Sequence, residues 1–123
     1  MATVTPSGIG IDLVQVDWFR GQELLVFEHF LSRVLGDEEK KYCRTFIDPA
    51  PHFAGIFAAK EAVIKAWHSA GRTESLEYHQ ISITHGSSGQ PIASIHTSFV
   101  VQVKISITHT DSIAVAMSWL TLL

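Results

Sequence analysis

Cysteine is nearly missing from this chain of 123 residues: Cys43 is alone, so neither a disulfide framework nor a thiolate zinc site is open to it. Charge is also scarce. Charged residues make up 17% against 46% hydrophobic, which excludes a disordered chain and points to a globular one. The formal charge of -3 and the absence of any Lys/Arg cluster argue against binding to a nucleic-acid backbone, although a small phosphorylated ligand needs only two or three well-placed groups. No basic segment followed by an apolar one opens the sequence, so no secretory signal is expected. The closing stretch from Ser112 to Leu123 is strongly apolar but too short for a membrane-crossing helix. His29, His52, His68, His79 and His96 have no metal-ligand spacing, and no zinc site is expected. The expectation left is one cytoplasmic domain spanning 1–123, with neither nucleic acid nor membrane as partner.

What is present falls into a clear order. Gly8-Ile9-Gly10-Ile11-Asp12-Leu13-Val14 reads as a strand whose glycines imply close approach by another backbone or by a ligand. It is no dinucleotide fingerprint, because the third glycine is missing and no helix follows directly. Asp12 falls on the face opposite Ile9 and Ile11. Apolar residues at three- and four-residue spacing from Asp17 to Leu35 predict a helix or a broken pair, with Gly21 at the break. A short helix, Glu38 to Arg44, follows, and Asp48-Pro49-Ala50-Pro51 is a connector. After a polar break at Gly71 to Ser75 the period changes to two. Strands are expected at Tyr78 to Thr84, Ile92 to His96, Val101 to Thr108 and Ile113 to Trp119. Ser87 to Pro91 would turn the first two into a hairpin, and Thr110-Asp111-Ser112 would join the last two. The fold class is α+β: a long central helix packed on a largely antiparallel sheet.

That helix runs from His52 to Trp67. Phe53, Ile56, Phe57, Val63, Ile64 and Trp67 form an apolar stripe. Glu61 and Lys65, one turn apart, are neighbours at its edge and could form an ordinary surface pair. Lys60 projects near the middle of the stripe, where a charge must be paired or reach out to solvent. Ser-Ile-Thr-His occurs twice, at Ser82 to His85 and Ser106 to His109, each time closing a strand.

Three separated pieces gain meaning together: Gly8-Ile9-Gly10-Ile11-Asp12, then Lys60-Glu61-Ala62 followed by Lys65, then Ser106-Ile107-Thr108-His109-Thr110. In this order the chain resembles the 4′-phosphopantetheinyl transferase family, in its short holo-(acyl-carrier-protein) synthase type. The likeness extends over nearly the whole length and includes Gly89-Gln90-Pro91. It implies the family's 4′-phosphopantetheinyl transferase-like fold and transfer of the phosphopantetheine arm of coenzyme A to a serine hydroxyl of an apo acyl carrier protein, releasing adenosine 3′,5′-bisphosphate. Asp12 and Glu61 match the family's metal positions, and Mg²⁺ is the expected ion. Glu61, Lys65 and His109 match catalytic positions, with the serine proton going to Glu61 or to a metal-bound water. Coenzyme A contacts are expected from Lys60, Lys65, Gly89, Pro91, Ser106, Thr108, His109 and Thr110. Coenzyme A and an acyl carrier protein are the implied partners, and the family's short members imply a homotrimer with shared sites.

Two positions depart from the family pattern. Ile56 stands where an arginine that helps hold coenzyme A phosphate is usual, and Trp18 where the carrier-docking helix usually has a basic residue, with Arg20 nearby. They support an alternative reading, a non-catalytic relative that binds carrier or coenzyme A.

Overall fold

The computed structural model describes residues 5–123. In chain order it contains β1 (Ser7–Gln15), a 3₁₀ turn (Val16–Phe19), α1 (Leu24–Val34), α2 (Asp37–Cys43), α3 (Ala50–Ser69), a second 3₁₀ turn (Tyr78–Gln80), β2 (Ile81–His85), β3 (Pro91–Ile95), β4 (Val101–His109) and β5 (Ile113–Leu122). The expected α+β architecture with α3 at its centre is present.

The sheet is divided. β1, β5 and β4 form a three-stranded antiparallel sheet in that order, and β2 and β3 form a separate antiparallel hairpin. The strand expected from Tyr78 begins only at Ile81, because residues Tyr78–Gln80 close a 3₁₀ turn before pairing starts. The turn between β2 and β3 uses Gly89 at φ 81°, a left-handed conformation that glycine adopts without steric penalty.

β1 shows why the sheet and α3 lie so close. Its side chains alternate, with Gly8 and Gly10 buried and Ile9, Ile11 and Leu13 exposed on the other face. A Cβ on Gly10 would sit 1.9 Å from the Ala62 carbonyl oxygen, and one on Gly8 would sit 2.1 Å from that of Ala66. Another backbone, that of α3, is therefore what the two glycines admit. The residues they meet on α3 and at its C-cap, Ala62, Ala66 and Ala70, are small as well, and Ala54, Ala58 and Ala59 are further buried alanines of the same helix.

α3 is consequently buried on more sides than a single stripe provides for. Ala50, Phe53, Ile56, Val63 and Trp67 join the alanines in the core, along with Lys60, while Lys65 stays exposed. Trp67 satisfies its ring nitrogen by donating to the Glu74 carbonyl at 2.8 Å. Elsewhere Glu23 caps α1, its carboxylate accepting from the backbone of Leu25 and Val26 at 3.0 and 3.1 Å.

Candidate active site

Asp12 is fixed by the strand register, opposite Ala116 of β5, on the face that meets α3. Glu61 is on α3, next to the Ala62 that approaches Gly10. The two carboxylates, 49 residues apart in sequence, line one cleft of about 460 Å³. Trp18, Phe19, Phe30 and Phe57 form its apolar wall. Lys65 reaches from α3 to Asp12 Oδ1 at 3.1 Å and to the Ile11 carbonyl at 3.0 Å. Among the described residues Glu61 makes no ion pair with Lys65; its Oε1 accepts a hydrogen bond from the Tyr78 hydroxyl instead. The surface pair expected from one-turn spacing is thus replaced by two separate contacts, each to another element. Burial, with the Glu61 carboxylate second, pushes the Tyr78 hydroxyl far above the usual phenol range, so it stays protonated and donates.

A second cleft, of about 200 Å³, takes Gly89, Pro91 and His109 together with His52, Ile56, His85 and Ile107. Both Ser-Ile-Thr-His copies end here: β2 delivers His85 and β4 delivers His109. His52 packs edge-on against His109 at 5.2 Å between ring centroids and face-on against Phe46 at 3.5 Å. Tyr42 stacks on His85 at 3.8 Å.

The remaining site candidates lie apart from both groups. Lys60 is 1% exposed, and its ammonium bonds Glu39 Oε1 at 2.7 Å, the Val34 carbonyl at 2.8 Å and the Tyr78 carbonyl at 3.3 Å. The expectation that it contacts phosphate is corrected accordingly: its donors are consumed inside the protein, where they join α1, α2 and the Tyr78 turn to α3. Ser106 and Thr108 are exposed on the outer face of β4, opposite Met117 and Val115, and do not line the His109 cleft. Thr110 Oγ1 accepts from the backbone of Ser112 and Ile113 at 3.2 and 3.1 Å, which shapes the β4–β5 turn.

Sequence reasoning missed four contributors. Tyr78 read as the start of a strand, and no local signal ties it to Glu61. His52 read as one of five scattered histidines, and His85 only as the end of the first Ser-Ile-Thr-His copy, with His109 favoured over it. Of the aromatic wall, Phe19, Phe30 and Phe57 read as core because they recur at helical spacing, and Trp18 as a departure from the family's carrier-docking helix.

The donors present suit a hard divalent ion. Two carboxylates from different elements share the first cleft, and no group of three or more His, Cys, Asp or Glu side chains suited to a metal occurs among the described residues. A pair of carboxylates leaving further positions to water and phosphate is the donor set Mg²⁺ accepts.

This geometry coincides with a family. Residues 8–118 match the 4′-phosphopantetheinyl transferase superfamily. The chain belongs to it. The holo-(acyl-carrier-protein) synthase of Chlorobaculum tepidum is 37% identical over 111 residues, covering 89% of this chain and 94% of that protein. Among solved structures, the ACPS–CoA complex of Chronobacterium ammoniagenes superposes with a TM-score of 0.79 at 26% identity, covering 95% of this chain and 98% of the other. The Helicobacter pylori holo-(acyl-carrier-protein) synthase in complex with coenzyme A gives a TM-score of 0.75 at 27% identity, with 89% and 96% covered. Within the transferase fold, the departures keep structural roles. Ile56 is buried beside the second cleft. Trp18 packs edge-on against Phe30 at 4.7 Å between ring centroids. Arg20 bonds Asp17 at 2.7 Å and Asp48 at 2.6 Å.

Proposed function

We infer that this protein is a phosphopantetheinyl transferase that moves the 4′-phosphopantetheine arm of coenzyme A onto a serine hydroxyl of an apo acyl carrier protein. The observation that carries this reading is that Asp12 and Glu61 line one cleft, with Lys65 bonded to Asp12, in a chain that covers nearly the full length of named holo-(acyl-carrier-protein) synthases.

In this mechanism the serine oxygen forms a bond to the phosphorus bearing pantetheine. The bond from that phosphorus to the bridging oxygen breaks, and adenosine 3′,5′-bisphosphate leaves with the electron pair. Asp12 and Glu61 are proposed to hold Mg²⁺, which when bound neutralises charge on the pyrophosphate. Lys65 adds a fixed positive charge beside Asp12, suited to a phosphoryl oxygen on which charge grows. Glu61 has Oε1 held by Tyr78, while Oε2 has no hydrogen-bond partner among the described residues and is the proposed acceptor of the serine proton. Trp18, Phe19, Phe30 and Phe57 form the apolar wall of the cleft that this carboxylate lines. Gly89, Pro91 and His109 are proposed to take the nucleotide end of coenzyme A.

A homotrimer with shared sites belongs to the same proposal. Ile9, Ile11 and Trp119 are 65%, 62% and 54% exposed on one sheet face, where they are joined by Leu13 and Met117. An apolar face of this kind is suited to burial against other copies. Ser106 and Thr108 share that face, so copies packed there would bring them near a neighbour's site. The proposed setting is the cytoplasm and fatty acid biosynthesis.

The test is to incubate the protein with coenzyme A, Mg²⁺ and apo carrier and weigh the carrier. A gain equal to the phosphopantetheine arm is expected. No gain with any carrier of the same genome rejects the transferase reading, and calorimetry with coenzyme A then shows whether a binding function remains.

A further inference from the structure

The second cleft contains more imidazole than one catalytic histidine accounts for. His52 comes from the first turn of α3, His85 from the end of β2 and His109 from the end of β4. Phe46 stacked on His52 and Tyr42 stacked on His85 cover ring faces and leave nitrogen-bearing edges for other contacts. Of the three, only His109 is hydrogen-bonded within the chain among the described residues, Nδ1 to the Thr110 carbonyl at 3.3 Å. No lysine or arginine lines the cleft. Its capacity for positive charge therefore comes from imidazole, which changes state within the physiological pH range.

We propose that His52, His85 and His109 together hold the 3′-phosphate of coenzyme A, so that preference for coenzyme A over its 3′-dephospho form is set by pH. This rests on the transferase reading, which assigns the nucleotide end to Gly89, Pro91 and His109. Three imidazoles beside those residues offer hydrogen-bond donors and charge to a compact dianion.

The direction of the pH effect follows from the groups that face His52. These are Asp48 from the connector, already bonded to Arg20, with Tyr42 from α2, His85 from β2 and His109 from β4. Burial and then the neighbouring His109 hold His52 below the ordinary imidazole range, against the pull of Asp48, and burial does the same to His85. Without ligand both rings therefore favour the neutral form. A bound dianion favours the protonated form, so binding takes up protons and affinity for coenzyme A rises as pH falls from about 8 toward about 6. Below about pH 6 the phosphate itself gains a proton and the advantage stops growing. The 3′-dephospho compound lacks the dianion and escapes both effects.

Calorimetry on the full chain with Mg²⁺ tests this, using coenzyme A and 3′-dephospho-coenzyme A at pH near 6, 7 and 8 in buffers of different ionisation heat. The affinity ratio is expected to be about tenfold larger at the lowest pH than at the highest, equivalent to one pKa unit of coupling, with extra proton uptake for coenzyme A alone. His52→Gln, and separately His85→Gln, should flatten the ratio. Both ligands binding with a ratio constant to within about twofold across the range overturns this proposal and leaves the transferase reading intact. Binding of neither ligand at any pH overturns both.

Discussion

Lys60 Nζ lies 2.7 Å from Glu39 Oε1 with both side chains withdrawn from water, at 1% and 6% exposure. Burial holds the ammonium below the usual lysine range even while Glu39 pulls the other way. Glu39 is also the acceptor for two backbone amides, Gly36 at 2.7 Å and Ile83 at 2.8 Å. Removing the lysine leaves a buried carboxylate short of its counter-charge. Lys60→Met is expected to cost about 3–5 kcal/mol in urea denaturation. A loss below about 1 kcal/mol would mean that water or a proton replaces the ammonium at negligible cost.

Tyr78 and Glu61 separate orientation from chemistry. Tyr78→Phe keeps the ring near Phe57 and removes only the donor to Glu61 Oε1. We expect kcat/KM for carrier modification to fall about tenfold, because the lost hydrogen bond is worth about 1.5–3 kcal/mol to a charged acceptor and only part of it orients the carboxylate. Glu61→Gln should lower it by at least about a hundredfold with the circular dichroism spectrum unchanged. Wild-type turnover in Glu61→Gln removes the carboxylate from the reaction.

Gly10→Ala puts a methyl where the Ala62 carbonyl already sits, 1.9 Å from the added carbon, and neither atom belongs to a flexible side chain. The strand and α3 must separate, at a cost of about 1–3 kcal/mol or more. Gly21→Ala is the control, since its nearest neighbour would be the Asp17 carbonyl oxygen at 3.9 Å. Equal denaturation midpoints for the two variants would contradict the close approach.

Ile11→Glu places a charge on the exposed apolar sheet face, directly opposite Met117 and between Ile9 and Leu13 on its own strand. If copies pack there, light scattering should show the variant at monomer mass while the parent runs as a trimer. A trimeric variant moves the contact elsewhere.

The fold was legible where periodicity and turn chemistry agree. The glycine strand and the Gly89 hairpin appear near their expected positions, while the long helix starts at Ala50, inside the expected connector, because a proline is tolerated in a helix's first turn. The division of the sheet was not legible, because strand pairing is decided by contacts far apart in sequence, and the period within each strand is the same either way. At the site, the resemblance to the family pointed to Asp12, Glu61 and Lys65 as a set; Asp12 and Glu61 line one cleft, and Lys65 bonds Asp12. Lys60 was misread because its adjacency to Glu61 in sequence says nothing of Glu39, 21 residues away and on another helix. Tyr78 and His52 became visible only once long-range packing put them beside Glu61 and His109.

The bare contact between β1 and α3 sets the working limits of the molecule. With no side chain between Gly10 and the Ala62 carbonyl, there is no compressible layer through which Asp12 and Glu61 could drift apart. The backbone segments that carry the two carboxylates are expected to keep their spacing for as long as strand and helix stay joined. Loss of activity on heating should therefore track loss of the fold itself, without an earlier stage in which an intact protein has a slackened site.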